Sequence, residues 1–206
     1  MEVYKYDIGC GKYPESGYIG VDPFLGNSFW DLNSVHKIEE LRFIHSIYML
    51  NNNFKRKEDM DFHEIRRELR KYMYGNISIF ELNERIFGKD NFINYYTQLK
   101  IKLKYLVDKM SWGGKIVIEQ PVIDKMVKRH HGIVKELYRI VRYNVTSEKE
   151  GITAEFFRTH NFMTCDKDIL VDLLKSVDMK DIFVRDGILD GSIHVKENSI
   201  VVRGTK

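Results

Sequence analysis

Asp7, Gly9, Gly11 and Asp22 are the residues of this chain whose types and spacing best suit chemistry on a nucleotide-like ligand. Asp7-Ile8-Gly9-Cys10-Gly11 closes a short apolar and aromatic run, residues 3–8, interrupted only by Lys5. That run predicts a buried strand. Gly9 and Gly11 predict a loop whose backbone takes positive φ and approaches a ligand with no Cβ in the way. A second apolar run, residues 18–21, ends in Asp22. A carboxylate at the tip of a strand that follows a glycine loop is where nucleotide-binding α/β folds hold ribose hydroxyls. The third glycine of the dinucleotide fingerprint is absent, and for the glycines alone an ordinary strand-to-loop turn is the competing reading.

Residues 4–24 as a whole resemble the first motif of the class I S-adenosylmethionine-dependent methyltransferases, acid-x-Gly-x-Gly and then a strand ending in an acid. Within that superfamily they resemble a branch in which "DIGCGK-P-GYIGVD" is nearly a formula. Only residues 12–17 separate the loop from the second strand, whereas a parallel crossover ordinarily needs about a dozen residues. The first crossover helix is therefore expected to be missing or reduced to a turn punctuated by Pro14 and Gly17, a shortening this branch shares.

The resemblance implies a Rossmann-like α/β domain with a seven-stranded, mostly parallel sheet. Helices lie on both faces, and an antiparallel strand pair closes the C-terminal end. It implies S-adenosylmethionine as cofactor. Asp7, Gly9, Cys10 and Gly11 would form the loop at its methionine part and Asp22 would take the ribose. Pro23 and Phe24 would flank the adenine, Asp31 and Leu32 would meet its edge, and Asn51 would close over the methionine moiety. The chain departs from the branch at Leu50-Asn51-Asn52, where Leu-Glu-His is the pattern. Those positions face the reaction chamber in the family, so a protein that binds the cofactor without turnover is the alternative reading.

The positioning elements follow along the chain. Residues 29–33 read as a third short strand or its end, and residues 41–50 as a long apolar strand stopped by Asn51-Asn52-Asn53. Phe62, Ile65, Leu69 and Met73 recur at helical spacing, as do Phe92, Tyr95, Tyr96, Leu99, Leu103 and Leu106, with breaks at Gly75-Asn76 and Gly88. Residues 54–91 exceed the single helix a simple fold needs and read as a helical insertion over the carboxyl ends of the sheet. Gly113-Gly114 predicts a helix end, with a buried strand over residues 115–118. Residues 123–141 read as a helix containing His130 and His131. Residues 166–177 read as an amphipathic helix capped by Thr164 or Asp166. Residues 180–185 and 194–203 read as two antiparallel strands.

Composition narrows the classes. With 206 residues, 43% hydrophobic and 31% charged, the chain is expected to form one globular domain, residues 1–206. No apolar run approaches a membrane span, and no signal peptide is expected. Cys10 and Cys165 show no metal spacing, which suits a reducing cytoplasm. Cys10 reads as a small loop filler rather than a reactive thiol. A net charge of +3 does not call for nucleic acid, although basic residues gather at residues 55–71 and 125–142.

Methyl transfer from a sulfonium needs the acceptor held in line and, for a hydroxyl or an acid, a base. His160, His130 and His131 are the candidate bases, because their loops belong on the acceptor side. His45 reads as a core or surface histidine. Neither Asn/Asp-Pro-Pro-Tyr nor a Pro-Cys nucleophile is present. O- or N-methylation of a small molecule or glycan is the expectation, with a nucleic-acid-associated methyltransferase as a further alternative.

Overall fold

The computed structural model describes residues 4–22, 25–26, 37–43, 47–50, 62–125, 165–192 and 196–206. The first described strand lies one in from an edge of the sheet. Strand β1, Tyr4–Ile8, pairs in parallel with β2, Ile19–Val21, on one side and with β3, Ile38–Phe43, on the other. Strand β4, Met110–Pro121, continues the parallel run beside β3. Strands β5, Lys180–Asp186, and β6, Ser199–Thr205, are antiparallel, with β6 placed between β4 and β5. Among the described residues the sheet has six strands in the order β2-β1-β3-β4-β6-β5. The expected additional strand at residues 29–33 lies outside them.

One face of this mixed sheet carries the core. Helices α1, Phe62–Met73, α2, Ile79–Phe87, and α3, Lys89–Asp108, precede β4, and α4, Lys167–Lys175, precedes β5. The stripe expected on α3 is buried at Phe92, Tyr95, Tyr96, Leu99, Leu103 and Leu106. It shares one apolar cluster with Leu170, Leu173 and Leu174 of α4 and with Ile116, Ile118, Ile200 and Val202 of the sheet. Each such side chain contributes about 1.5–3 kcal/mol by leaving water. A Cβ on Gly204 would lie 3.2 Å from Met179 Cβ, so the segment after α4 sits directly on β6.

Local signals set the helix ends. Ser78 Oγ accepts the Glu81 N–H at 3.2 Å while the Glu81 carboxylate accepts the Ser78 N–H at 2.8 Å, a reciprocal capping box. Asp166 caps α4 as expected, accepting from the Asp168 and Ile169 amides at 2.8 and 3.1 Å. Burial raises its carboxyl above the ordinary range, against the hydrogen bond from Tyr72. The turns at Gly75-Asn76 and Gly88 separate α1, α2 and α3.

Four readings are corrected. The apolar run at residues 41–50 is not one strand: β3 ends at Phe43, and Ile47–Leu50 is a 3-10 turn. β3 reaches its last β4 partner at Phe43, and a longer strand would outrun β1. Ile47 and Leu50 are instead buried in the core cluster shared with α3. An apolar run alone does not separate strand from buried turn.

Gly113-Gly114 does not end a helix. Helix α3 stops at Asp108 on a Lys109 cap, and the glycines lie inside β4. There the Gly113 N–H donates to Lys206 O at 3.0 Å and the Lys206 N–H donates to Gly114 O at 2.9 Å. Two residues thus oppose one, with Gly113 at φ +75, which is a glycine β-bulge. The last strand begins at Ser199 rather than residue 194, after a 3-10 turn over Lys196–Asn198. On α1, Leu69 is buried but Met73 is 44% exposed, so the stripe is shorter than its spacing implies.

Candidate functional site

Strand order reverses at β1: the chain steps out to β2 and then crosses to β3 on the other side. Open α/β sheets bind ligands beyond the carboxyl ends of strands at such a point. The glycine loop leaves β1 there. Gly9 and Gly11 have φ of +71 and +66, as their types imply. Among the described residues, no heavy atom other than those of its chain neighbours lies within 4 Å of a Cβ built on Gly11, so its surroundings there are open.

The two acids build the loop. Asp22, 3% exposed at the tip of β2, accepts the Gly11 N–H on Oδ2 at 2.9 Å. Asp7, 1% exposed, accepts the Glu15 N–H on Oδ2 at 3.2 Å. The Gly9 N–H donates to Val21 O at 2.8 Å, tying the loop to β2. The connection between β1 and β2 contains no helix and turns instead through Gly17, at φ +84, as the short spacing implied. Gly20 is a close approach: a Cβ there would meet Leu25 Cδ1 at 2.6 Å, Cys10 Sγ at 2.9 Å and Pro14 Cβ at 3.0 Å.

Cys10 is buried and packs inside this turn. Burial, then the charges of Asp7 and Asp22, push its thiol up, so the reactive thiolate is disfavoured. Cys165 is also buried and free. No group of three or more metal-ligating side chains occurs among the described residues, and none of their helices is long and apolar enough to cross a membrane.

The structure thus brings Asp7, Gly9, Cys10, Gly11 and Asp22 together. Pro23, Phe24, Asp31, Leu32, Asn51, His45, His130, His131 and His160 lie outside the described residues. Of the basic groupings, Arg67 and Lys71 converge on the Glu68 carboxylate at 3.1 and 2.8 Å, where Arg85 of α2 joins them at 3.2 Å. Burial works against that charge, but hydrogen bonds from Lys71 and Arg67 outweigh it and hold Glu68 below its usual range. Lys125 pairs with Asp186 at 2.6 Å.

Sequence reasoning missed two carboxylates. Glu15 joins the loop segment to the sheet: its N–H goes to Asp7 and its Oε2 lies 3.4 Å from Arg42. Glu119, fully buried in β4, accepts the Leu189 N–H at 2.5 Å and the Ser192 hydroxyl, pinning the turn after β5 to the sheet. The available signal was charge at alternate positions of apolar strands, Glu40 and Arg42 in β3 and Lys115 and Glu119 in β4. No protein-family model matches the chain, and no curated protein matches it.

Proposed function

We propose that this protein binds S-adenosylmethionine at the β1–β2 loop and transfers its methyl group to a small-molecule or glycan acceptor. The observation that carries the reading is the positive-φ Gly9–Gly11 loop tied to Asp22 at the point where strand order reverses. The antiparallel β5–β6 pair after α4 supports the Rossmann-like methyltransferase fold in preference to a sheet that continues in parallel.

The residues present suit this cofactor. Gly11 gives the backbone room at the methionine part, and Asp22, held in place by its bond to Gly11, receives the ribose diol. Pro23, Phe24, Asp31 and Leu32 complete the adenine slot in this reading, and Asn51 closes the methionine end. Asp22 is 3% exposed, so a ribose reaches it only if the chain beside it shifts. The cofactor supplies an electrophilic methyl group on a sulfonium. The protein's part is to hold the acceptor in line and to take up its proton, with His160, His130 and His131 as candidate bases.

The second reading, cofactor binding without turnover, is favoured by Asn51-Asn52 where the family carries Glu-His. Nucleic acid is less favoured, since Arg67, Lys71 and Arg85 are engaged with Glu68. Calorimetry with S-adenosylmethionine and its demethylated product tests the core of the proposal. Saturable heat with both is expected, and no heat with either sinks it. Methyl release to a panel of hydroxyl and amine acceptors then separates the enzyme from the inert binder.

A further inference from the structure

The sheet face opposite α3 and α4 is charged. Strand register aligns Glu40 with Lys115, Arg42 with Val117, and Val117 with Arg203. These side chains share a cavity of about 280 Å³ with Tyr18, Arg185 and the turn at residues 188–190. That volume is near the lower end for small-molecule sites, which begin at about 300 Å³.

The charges in the cavity do not balance. Among the described residues, the four cations Arg42, Lys115, Arg185 and Arg203 meet three carboxylates, Glu40 and Asp190 in the lining and Glu15, which pairs with Arg42. Glu40 is engaged by the Tyr18 hydroxyl. Arg185 is steadied by the carbonyls of Asp186 and Ile188 at 3.2 and 3.3 Å, which orient its guanidinium without neutralising it. Lys115 and Arg203 have no ion-pair or hydrogen-bond partner among the described residues.

Arg42 is the decisive residue. Its side chain is 8% exposed, with one terminal nitrogen on the Asp190 carbonyl and 3.4 Å from Glu15. It also stands over the Tyr18 ring, 5.6 Å from the centroid. Its Nε is buried and has no hydrogen-bond partner among the described residues. A buried guanidinium with an unmade donor calls for an acceptor. Clustered Arg and Lys side chains match a tetrahedral oxyanion, which accepts several charge-assisted bonds at once.

We propose that this cavity binds the phosphate group of a small phosphorylated molecule. Arg42, Lys115, Arg185 and Arg203 supply the donors, and the 188–190 turn forms one wall. The site lies on a face of the sheet rather than at the glycine loop, and it stands whether or not the cofactor reading holds.

The test is calorimetry of the full chain with inorganic phosphate and pyrophosphate at constant ionic strength, with chloride as reference. Lys115→Gln/Arg203→Gln is the variant, because both side chains are exposed and should leave folding intact. One-to-one binding is expected, weakened about tenfold or more in the variant at an unchanged urea midpoint. Phosphate binding no stronger than chloride overturns the proposal, as does equal affinity in the variant. A single-stranded oligonucleotide that binds more tightly than pyrophosphate, and loses that binding in the variant, overturns the small-molecule assignment.

Discussion

Asp22 has two separable jobs, and two substitutions pull them apart. Asp22→Ala removes the acceptor 2.9 Å from the Gly11 N–H. Gly11 is partly exposed, so water recovers some of the bond, and a loss of about 1–2 kcal/mol in stability is expected. Asp22→Asn keeps a carbonyl oxygen for the same N–H, and its loss should stay under about 1 kcal/mol.

Cofactor affinity should follow a different pattern. A carboxylate accepts on both oxygens, whereas an amide replaces one acceptor with a donor. With its oxygen already engaged by Gly11, the amide offers the ribose diol only a second, uncharged lone pair and an NH2 donor in place of a free carboxylate oxygen. The lost charge-assisted bond is worth about 1.5–3 kcal/mol, or roughly ten- to a hundredfold in affinity. Urea unfolding measures the first quantity and calorimetry with S-adenosylmethionine the second. Asp22→Asn that folds normally and binds within about twofold of the parent refutes the ribose role. Asp22→Ala with an unchanged unfolding midpoint refutes the bond between loop and acid.

Glu119→Ala strands the Leu189 amide beside a buried apolar patch and should destabilise by about 2–4 kcal/mol, while Glu119→Gln retains an acceptor and should cost under about 1 kcal/mol. Equal losses in urea unfolding would show that the charge, not the hydrogen bond, matters there. Gly20→Ala drives a methyl group into Leu25, Cys10 and Pro14 and should lower stability by about 1–3 kcal/mol, read from the same midpoint. Glu68→Gln should cost about 1–2 kcal/mol at neutral pH. Because the folded-state value of Glu68 lies below its ordinary 4.5, that stabilisation is present above pH 4.5 and fades as pH falls through the folded value. The gap between Glu68→Gln and the parent should therefore close in acid, and a gap that persists at low pH contradicts the ion cluster.

What was legible in the sequence was local. Gly9 and Gly11 imposed positive φ whatever surrounded them, because a residue without a Cβ is the one that tolerates it at little cost. The short span after Gly11 excluded a crossover helix by length. Asp166 announced the start of α4, and the three- and four-residue spacing on α3 announced its buried face. Each of these depends on residues within a turn or two of one another.

Where long-range contact decided, the same reading failed. The apolar run at residues 41–50 breaks into a strand and a turn because β1 ends beside it and the core cluster shared with α3 buries Ile47 and Leu50. Gly113-Gly114 carries a bulge rather than a helix cap because Lys206, from the far end of the chain, pairs across it.

The sequence by itself determined the glycine loop and the acid at the tip of β2, since backbone sterics and strand patterning act within a short stretch. Only the tertiary structure decided that Asp22 grips Gly11 and that Glu15 bridges Asp7 to Arg42. It alone gathered cations from β3, β4, β5 and β6 around one cavity. Strand register, not sequence distance, sets which charged side chains share a face, and register is fixed only when the whole sheet assembles.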